Sequence, residues 1–303
     1  MTSHPPAPRV ESGALAGHVA LAVSQVAFGL FPIFGTIVFR AGGLSPLGVG
    51  AWRVGGGAVA LGGLAALVHG RRILPRRADL PRFIACAILG VALNHGLFLV
   101  GLSRSTPLNA GLVMSLIPVF TFMAAAAVGL ERFSLVRALG LALALVGVLP
   151  LIFHDGLGSL GRYGAGNLLM VANALSYSLY LVLAKPLTGR YPPLVVVAWS
   201  YILSLGALGY FVPGQRLVPE PGATLAWWSL AYIVAFPTVL AYLLNVFALA
   251  RLGASTTAVY VYFQPLVTGL ASWIAFGERP SGAMLLAAGA LFTGVWLVAR
   301  RDR

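Results

Sequence analysis

Ten long runs of apolar residues constrain this chain more than any other feature of its sequence. An α-helix rises 1.5 Å per residue, so about 20 apolar residues cross the roughly 30 Å hydrocarbon core of a bilayer. Apolar residues fill 59% of the 303 positions and charged residues only 9%, which excludes a soluble globular enzyme and a disordered chain. We predict an all-α polytopic membrane protein with ten spans, numbered here in chain order: 15–39, 46–69, 80–102, 107–130, 134–153, 164–185, 193–212, 224–249, 255–277 and 281–299.

Basic residues predict the orientation of these spans, because cytoplasmic loops of membrane proteins carry the excess of Lys and Arg. With the N-terminus inside, Arg53 lies within span two and 14 of the other basic residues are cytoplasmic; five lie outside: Arg40, Arg104, Arg162, Arg216 and Arg279. We therefore expect both termini in the cytoplasm. The net charge of +13 is attributed to topology and not to nucleic-acid binding. The strong preference for Arg over Lys is typical of a GC-rich bacterial genome, so we expect the bacterial inner membrane.

The chain carries an internal repeat at an offset of 147 residues. Trp52 then aligns with Trp199, and the pair Glu131–Arg132 aligns with Glu278–Arg279. Each copy holds five spans, an odd number, so the second copy enters the membrane upside down. Inverted repeats are typical of secondary transporters, whose substrate site lies near the membrane midplane. We predict an N-terminal tail, a first repeat, a connecting loop, an inverted second repeat and a C-terminal tail at 1–14, 15–153, 154–163, 164–300 and 301–303.

Two copies of one motif link the chain to a known family. The segment Leu130–Ser134, followed by Gly140 and Gly147, resembles the fourth-to-fifth helix signature of the drug/metabolite transporter superfamily, EamA type, and Gly277–Ser281 repeats it. Phe28-Gly29 and Ala51-Trp52-Arg53 fit the same pattern. The resemblance covers nearly the whole chain and, within the superfamily, points to bacterial amino-acid exporters of the YddG type. It implies ten helices around a central cavity lined by spans one, three, four, six, eight and nine.

Polar side chains recur at helical spacing within the spans that this resemblance places around the cavity. Polar groups in lipid are costly, so they usually face a cavity or a neighbouring helix. Tyr242 in span eight aligns with His95 under the repeat, and we expect the two on opposite walls at equal depth. Bonding between helices is the alternative for any single Ser or Tyr. The candidate substrate-binding residues are Gln25, Asn94, His95, Ser115, Asn173, Tyr177, Tyr180, Tyr242, Asn245, Tyr260 and Gln264.

Prolines and one arginine interrupt the apolar runs. A proline removes a backbone hydrogen bond and tends to kink its helix, and a hinge and a static kink both stay open for Pro32, Pro118, Pro237 and Pro265. Arg53 lies about two turns into span two from the outer side. It is expected to snorkel outward or to bond backbone carbonyls, and its place in the family motif favours a structural role.

The seven acidic residues all lie outside the spans or at their ends. Proton- and sodium-coupled carriers usually need a carboxylate within the membrane, and burial favours the neutral form of the His95 imidazole. The sequence therefore favours a uniport driven by the solute gradient. No phosphate-binding loop or zinc motif is present, so we predict no cofactor and no metal.

These features predict an inner-membrane secondary transporter, and not an enzyme, that exports small neutral or zwitterionic metabolites by alternating access. Amino acids, aromatic ones included, are the expected substrates. The small-molecule substrate and the lipid bilayer are the expected partners, and a monomer the expected working state. Three alternatives stay open: a drug or nucleotide-sugar carrier of the same fold, a passive channel, and a membrane-embedded enzyme that uses His95 and Ser115.

Overall fold

The structure, a computed structural model, describes residues 9–70, 74–129 and 161–299, together with isolated positions between 136 and 149. Within this part of the chain, eight helices are long and apolar enough to cross a membrane. They are spans one to four and six to nine: Arg9–Gly42, Pro46–His69, Arg77–Ser103, Pro107–Ala127, Gly164–Thr188, Pro193–Phe211, Thr224–Leu252 and Thr256–Phe276. Span ten is the helix Gly282–Ala299. The Glu131–Arg132 pair, and most of span five and of the loop 154–163, lie outside the described residues.

The packing of the spans follows the 147-residue repeat. Span one packs against spans eight and nine, and its repeat mate, span six, packs against spans three and four, which are the mates of eight and nine. Spans two and seven are mates and pack on each other, as do spans four and nine. Exchanging the two halves leaves this pattern unchanged, as a two-fold axis in the membrane plane requires. The predicted fold class, all-α with two inverted repeats, is confirmed.

Short capping motifs set where several spans begin and end. Ser45 precedes Pro46, and its hydroxyl accepts a hydrogen bond from the Gly48 amide at 3.1 Å. Thr106 caps span four in the same way, through the Asn109 amide at 3.2 Å. A hydroxyl at the cap followed by proline at the first helical position is a favourable helix start. Span nine ends at Phe276 and is capped by Gly277, whose φ of 68° is the left-handed conformation that glycine adopts readily.

Two spans contain matched stretches of wide, π-helical turns. These are Ile88–Ala92 in span three and Val234–Leu240 in span eight, and the 147-residue offset carries 88–92 onto 235–239. Pro237 lies in the second stretch, and Gly90 occupies the equivalent position in the first. A side chain at Gly90 would collide with the Tyr180 ring, so glycine permits this close approach. Single turns of π-helix inside α-helices occur frequently at functional sites.

Spans four and nine are also interrupted at matched positions. Span four consists of Pro107–Met114 and Ile117–Ala127, and span nine changes from α-helix to a 3-10 turn over Tyr260–Tyr262. The two breaks lie a few residues before the predicted hinge residues Pro118 and Pro265. Pro237 lies within the π-helical stretch of span eight, whereas Pro32 lies inside one continuous helix. The hinge role of these prolines stays a prediction.

Candidate functional site

A cavity lies between the two repeats, with a volume of about 50 Å³. This leaves room for only a few water molecules. It is bounded by the six spans that the family resemblance implied and also by span two. Its lining side chains are Phe28, Phe31, Pro32, Arg53, Asn94, Phe98, Gly111, Met114, Ile117, Asn173, Tyr177, Tyr242 and Gln264.

The cavity combines hydrogen-bonding groups with apolar and aromatic walls. Asn94, Asn173 and Gln264 contribute side-chain amides, and Tyr177 and Tyr242 contribute phenols. These five were among the predicted binding residues. The rest of the lining is largely aromatic and aliphatic, and Arg53 is the only charged residue among the described lining residues. A few polar groups on a mainly apolar wall are typical of a pocket for a small molecule with both polar and apolar parts.

Tyr242 is the centre of an aromatic cluster at this site. Its ring centroid lies 5.7 Å from that of Phe28, 5.5 Å from that of Tyr201 and 6.2 Å from that of Tyr177, each in an edge-on arrangement. Its hydroxyl donates to the Gly90 carbonyl at 2.7 Å. Tyr242 therefore joins span eight to the π-helical stretch of span three.

Side chains of the second repeat bind the backbone carbonyls in and beside the π-helical stretch of span three. Wide turns leave carbonyl groups without their usual helical donor, and a buried carbonyl needs a replacement. The hydrogen bonds are Ser176 to Leu89 at 2.7 Å, Tyr242 to Gly90 at 2.7 Å, Asn173 to Asn94 at 2.8 Å and Ser204 to Ala87 at 3.0 Å. The irregular part of one repeat is thus stabilised by hydroxyls and an amide of the other.

His95 lies behind Tyr242 and does not line the cavity. It is fully buried, its ring meets the Tyr242 ring edge-on, and its Nε2 lies 3.4 Å from the Tyr201 hydroxyl. The expectation that His95 and Tyr242 stand on opposite walls was wrong. Equivalent residues of the two repeats come into contact when they lie near the two-fold axis that relates the repeats. His95 and Tyr242 are such a pair.

The other predicted site residues are close to the cavity or elsewhere in the bundle. Gln25 is fully buried outside the lining and accepts a hydrogen bond at 2.6 Å from Gln264, which does line the cavity. Tyr180 packs on Gly90. Tyr260 lies away from the cavity, with its hydroxyl 2.7 Å from Nδ1 of His18 near the start of span one.

Ser115 and Asn245 are buried but do not line the cavity. Ser115 lies at the break of span four, and Asn245 lies one turn beyond Tyr242 in span eight. Within the described part of the chain, no hydrogen-bond partner is present for the Ser115 hydroxyl, the Asn245 side-chain oxygen or Nδ1 of His95.

Arg53 faces inward, which excludes the alternative that it snorkels toward the outer surface. Only 2% of its surface is exposed. Its Nε donates to the Thr238 hydroxyl at 2.9 Å, and its guanidinium carbon lies 4.2 Å from the centroid of the Phe31 ring. Thr238 in turn donates to the Ile233 carbonyl at 2.7 Å, in the last turn before the π-helical stretch of span eight. Arg53 thus brings span two to the cavity wall.

Apart from Phe28 and Pro32, sequence reasoning missed the apolar part of the lining. Phe31 and Phe98 stack with ring centroids 4.9 Å apart, and Met114 and Ile117 come from the two sides of the break in span four. An aromatic or aliphatic residue that faces a cavity looks the same in the sequence as one that faces lipid. The sequence did indicate a functional site at Arg53, because a charged residue within a membrane span usually has a functional role.

Two inverted repeats that enclose a cavity define a class of protein, the polytopic α-helical membrane proteins built like secondary transporters. Comparison with known proteins gives the family. The model of the EamA-like transporter family matches residues 15–153 and 164–300, so the chain belongs to this family and is a membrane transporter.

Individual relatives agree with this assignment. The chain is 25% identical over 266 residues to the transporter YyaM of Bacillus subtilis, covering 84% of this chain and 86% of that protein. It is 26% identical over 231 residues to a probable terminal-alkyne amino-acid exporter of Streptantibioticus cattleyicolor, covering 75% of each. A solved crystal structure has a TM-score of 0.65 at 21% identity, over 94% of this chain and 96% of its own, and shows the fold alone.

Proposed function

We propose that this protein is a secondary transporter of the bacterial inner membrane that exports small neutral or zwitterionic metabolites, above all amino acids. The observation that carries the proposal is the cavity between the repeats, where amides and phenols share the wall with stacked aromatic rings. Such a wall can hydrogen-bond the polar end of an amino acid and pack against an apolar or aromatic side chain. The similarity to a probable amino-acid exporter supports the same substrate class.

Alternating access is the mechanism that this geometry favours. A cavity of about 50 Å³ must widen before it holds a solute of several heavy atoms. The matched irregular stretches in spans three and eight, and the matched breaks in spans four and nine, offer points where helices can bend. The two-fold relation between the repeats would let either half open while the other stays closed. Both termini lie in the cytoplasm in this proposal.

A uniport fits the charges around the cavity. No carboxylate is present among the described lining residues. Asp79 lies at the start of span three, where it contacts Arg190, and Glu220 lies in the loop before span eight, where it contacts Arg216. Proton and sodium carriers usually hold a membrane-embedded acid. Solute that accumulates inside the cell would then leave down its own gradient.

The enzyme alternative needs a hydrogen bond between the serine nucleophile and its histidine base. Ser115 and Nδ1 of His95 have no such bond to any described residue, and Nε2 of His95 faces Tyr201. The geometry of Ser115 and His95 therefore favours transport over catalysis by these two residues.

The test is counterflow in liposomes with purified protein and a panel of amino acids, sugars and cationic dyes. We expect saturable counterflow of apolar or aromatic amino acids, with the labelled solute recovered intact. Recovery of a chemically changed solute would instead support the enzyme. Counterflow of dyes or nucleotide sugars alone would support the drug or nucleotide-sugar carrier, and conductance without saturation would support the channel.

A further inference from the structure

Arg53 is a buried cation on the cavity wall without an acidic partner among the described residues. The described carboxylates whose contacts are resolved lie elsewhere: Asp79 contacts Arg190 and Tyr191, Glu220 contacts Arg216, and Glu278 accepts from Ser272. A cation in a low-dielectric interior is costly unless it is paired, and in membrane spans such residues mark substrate pathways. The positive charge of the guanidinium is therefore left to be balanced by an anion that is not part of the chain.

The side chain is held in a fixed position from two sides. Thr238 takes the Nε donor at 2.9 Å, and the guanidinium lies over the Phe31 ring at 4.2 Å. A guanidinium carries five N–H donors in a planar fork that matches the two oxygens of a carboxylate. Thr238 takes one of the five donors, and the Tyr201 hydroxyl is a second hydrogen-bonding neighbour of the guanidinium. Because Arg53 lines the cavity and three N–H donors remain, the fork can still form two parallel hydrogen bonds to a carboxylate inside the cavity.

We propose that Arg53 binds the carboxylate of the transported solute, an inference that rests on the proposed function and names the recognition residue. The described part of the cavity wall carries one cation and no acid, which suits a single carboxylate and disfavours a polyanion or a cationic drug. The amides of Asn94, Asn173 and Gln264 would serve the other polar groups of the solute, such as an amino group. Phe28, Phe98 and Met114 would contact its apolar part.

A purely structural role for Arg53 is the competing explanation, because its bond to Thr238 joins span two to the irregular stretch of span eight. The two explanations differ in what the variants should lose. A structural residue supports every ligand equally, whereas a carboxylate-binding residue supports acids and not their amides.

The test compares matched ligands by titration calorimetry on purified protein in detergent: L-phenylalanine against L-phenylalaninamide, and 3-phenylpropionate against 3-phenylpropanamide. For the unmodified protein we expect each acid to bind about tenfold or more tightly than its amide, since hydrogen bonds to charged groups are the strong ones. Arg53→Gln should bring acids down to the affinity of the amides and leave amide binding unchanged.

Two further variants keep the test decisive. Arg53→Lys keeps the charge without the planar fork, so it should lose part of the preference for acids, and it serves in place of Arg53→Gln if that variant does not fold. Thr238→Val removes the bond that joins the spans but keeps the guanidinium. It should lower thermal stability while most of the preference for acids remains.

The proposal is overturned if the unmodified protein binds acids and amides alike, if it binds none of the four ligands, or if the Arg53 variants weaken all ligands equally. Its failure is distinct from failure of the proposed function. Binding of acids that depends on Arg53, without counterflow of any amino acid, would refute amino-acid transport and support carboxylate recognition. Amino-acid counterflow with no preference between acid and amide would support amino-acid transport and refute carboxylate recognition by Arg53.

Discussion

His95 and Tyr242 lie 147 residues apart in the chain, and their rings meet edge-on with centroids 5.9 Å apart and planes at 90°. This separation is the offset that aligns the two repeats, so the contact marks the place where the repeats meet on their two-fold axis. The hydroxyl of Tyr242 continues the contact by donating to Gly90 in the π-helical stretch of the opposite repeat. The centre of the bundle is thus held by a pair of equivalent positions with different side chains.

Tyr242→Phe tests the importance of this junction, because it keeps the ring and removes the bond to Gly90. Bonds between membrane helices average about 0.6 kcal/mol, and a buried carbonyl left unpaired adds to the loss. We expect a loss of stability of about 0.5–2 kcal/mol and a several-fold loss of transport, measured by thermal denaturation in detergent and by counterflow. Tyr210→Phe, at a tyrosine that is 69% exposed, is the control. Unchanged stability and transport in Tyr242→Phe would contradict a role for the bond.

The prolines after the breaks of spans four and nine give a second test. Pro118→Ala and Pro265→Ala each restore a backbone N–H, which favours a straighter and stiffer helix. If the breaks act as hinges, the turnover rate should fall several-fold while solute affinity stays the same. Pro280→Ala, in the exposed segment after span nine, should leave both quantities unchanged. Normal turnover in both span variants would show that the kinks are static.

The architecture could be predicted largely from the sequence, because spans are set by local composition and length. Span two was predicted at 46–69, and its helix is Pro46–His69. The repeat was readable because matched residues such as Pro118 and Pro265 stand at one constant offset. The π-helical stretches could not be predicted in the same way. The carbonyls of the stretch in span three bind donors such as Ser176 and Tyr242, which come from the opposite repeat and leave no local pattern.

The candidate site was predictable only where polarity marked it. Asn94, Asn173 and Gln264 line the cavity as expected, since an amide within a span has few other places to face. Tyr260 is also a polar residue within a span and could not be told apart from the lining residues by polarity, yet its hydroxyl contacts His18 instead. For Arg53 the sequence left open whether it snorkels outward or bonds backbone carbonyls, and its place in the family motif favoured a structural role. Its true direction depends on Thr238 in span eight, a long-range contact that helical periodicity does not encode.

A pH step tests the uniport. Because no carboxylate lies among the cavity residues that the structure describes, a pH gradient imposed across liposomes with equal solute on both sides should cause no net uptake. Collapsing the gradient should leave counterflow unchanged. Uphill accumulation driven by pH alone would contradict the uniport and would make His95 the first candidate proton carrier, in which case His95→Gln should abolish the uphill component and spare exchange.

Labelling of single cysteines tests the proposed orientation. The native Cys86 is buried and can be replaced by alanine as a background. A membrane-impermeant thiol reagent applied to intact cells should label Arg279→Cys and should reach Arg132→Cys only after permeabilisation, because the repeat places equivalent positions on opposite sides. Labelling of both variants from outside would refute the assignment of sides.

The proposed transport is tested most directly by filling the cavity between the repeats and measuring whether solute still passes. Met114 lines the cavity and is buried, so Met114→Trp should fill a space of only about 50 Å³. Ile274→Trp adds the same bulk in span nine at a residue that is 76% exposed. In liposomes, we predict saturable counterflow of labelled L-phenylalanine for the unmodified protein and for Ile274→Trp, and none for Met114→Trp although it elutes as folded protein. Equal counterflow in all three proteins, or none in the unmodified one, would contradict transport of solute through this cavity.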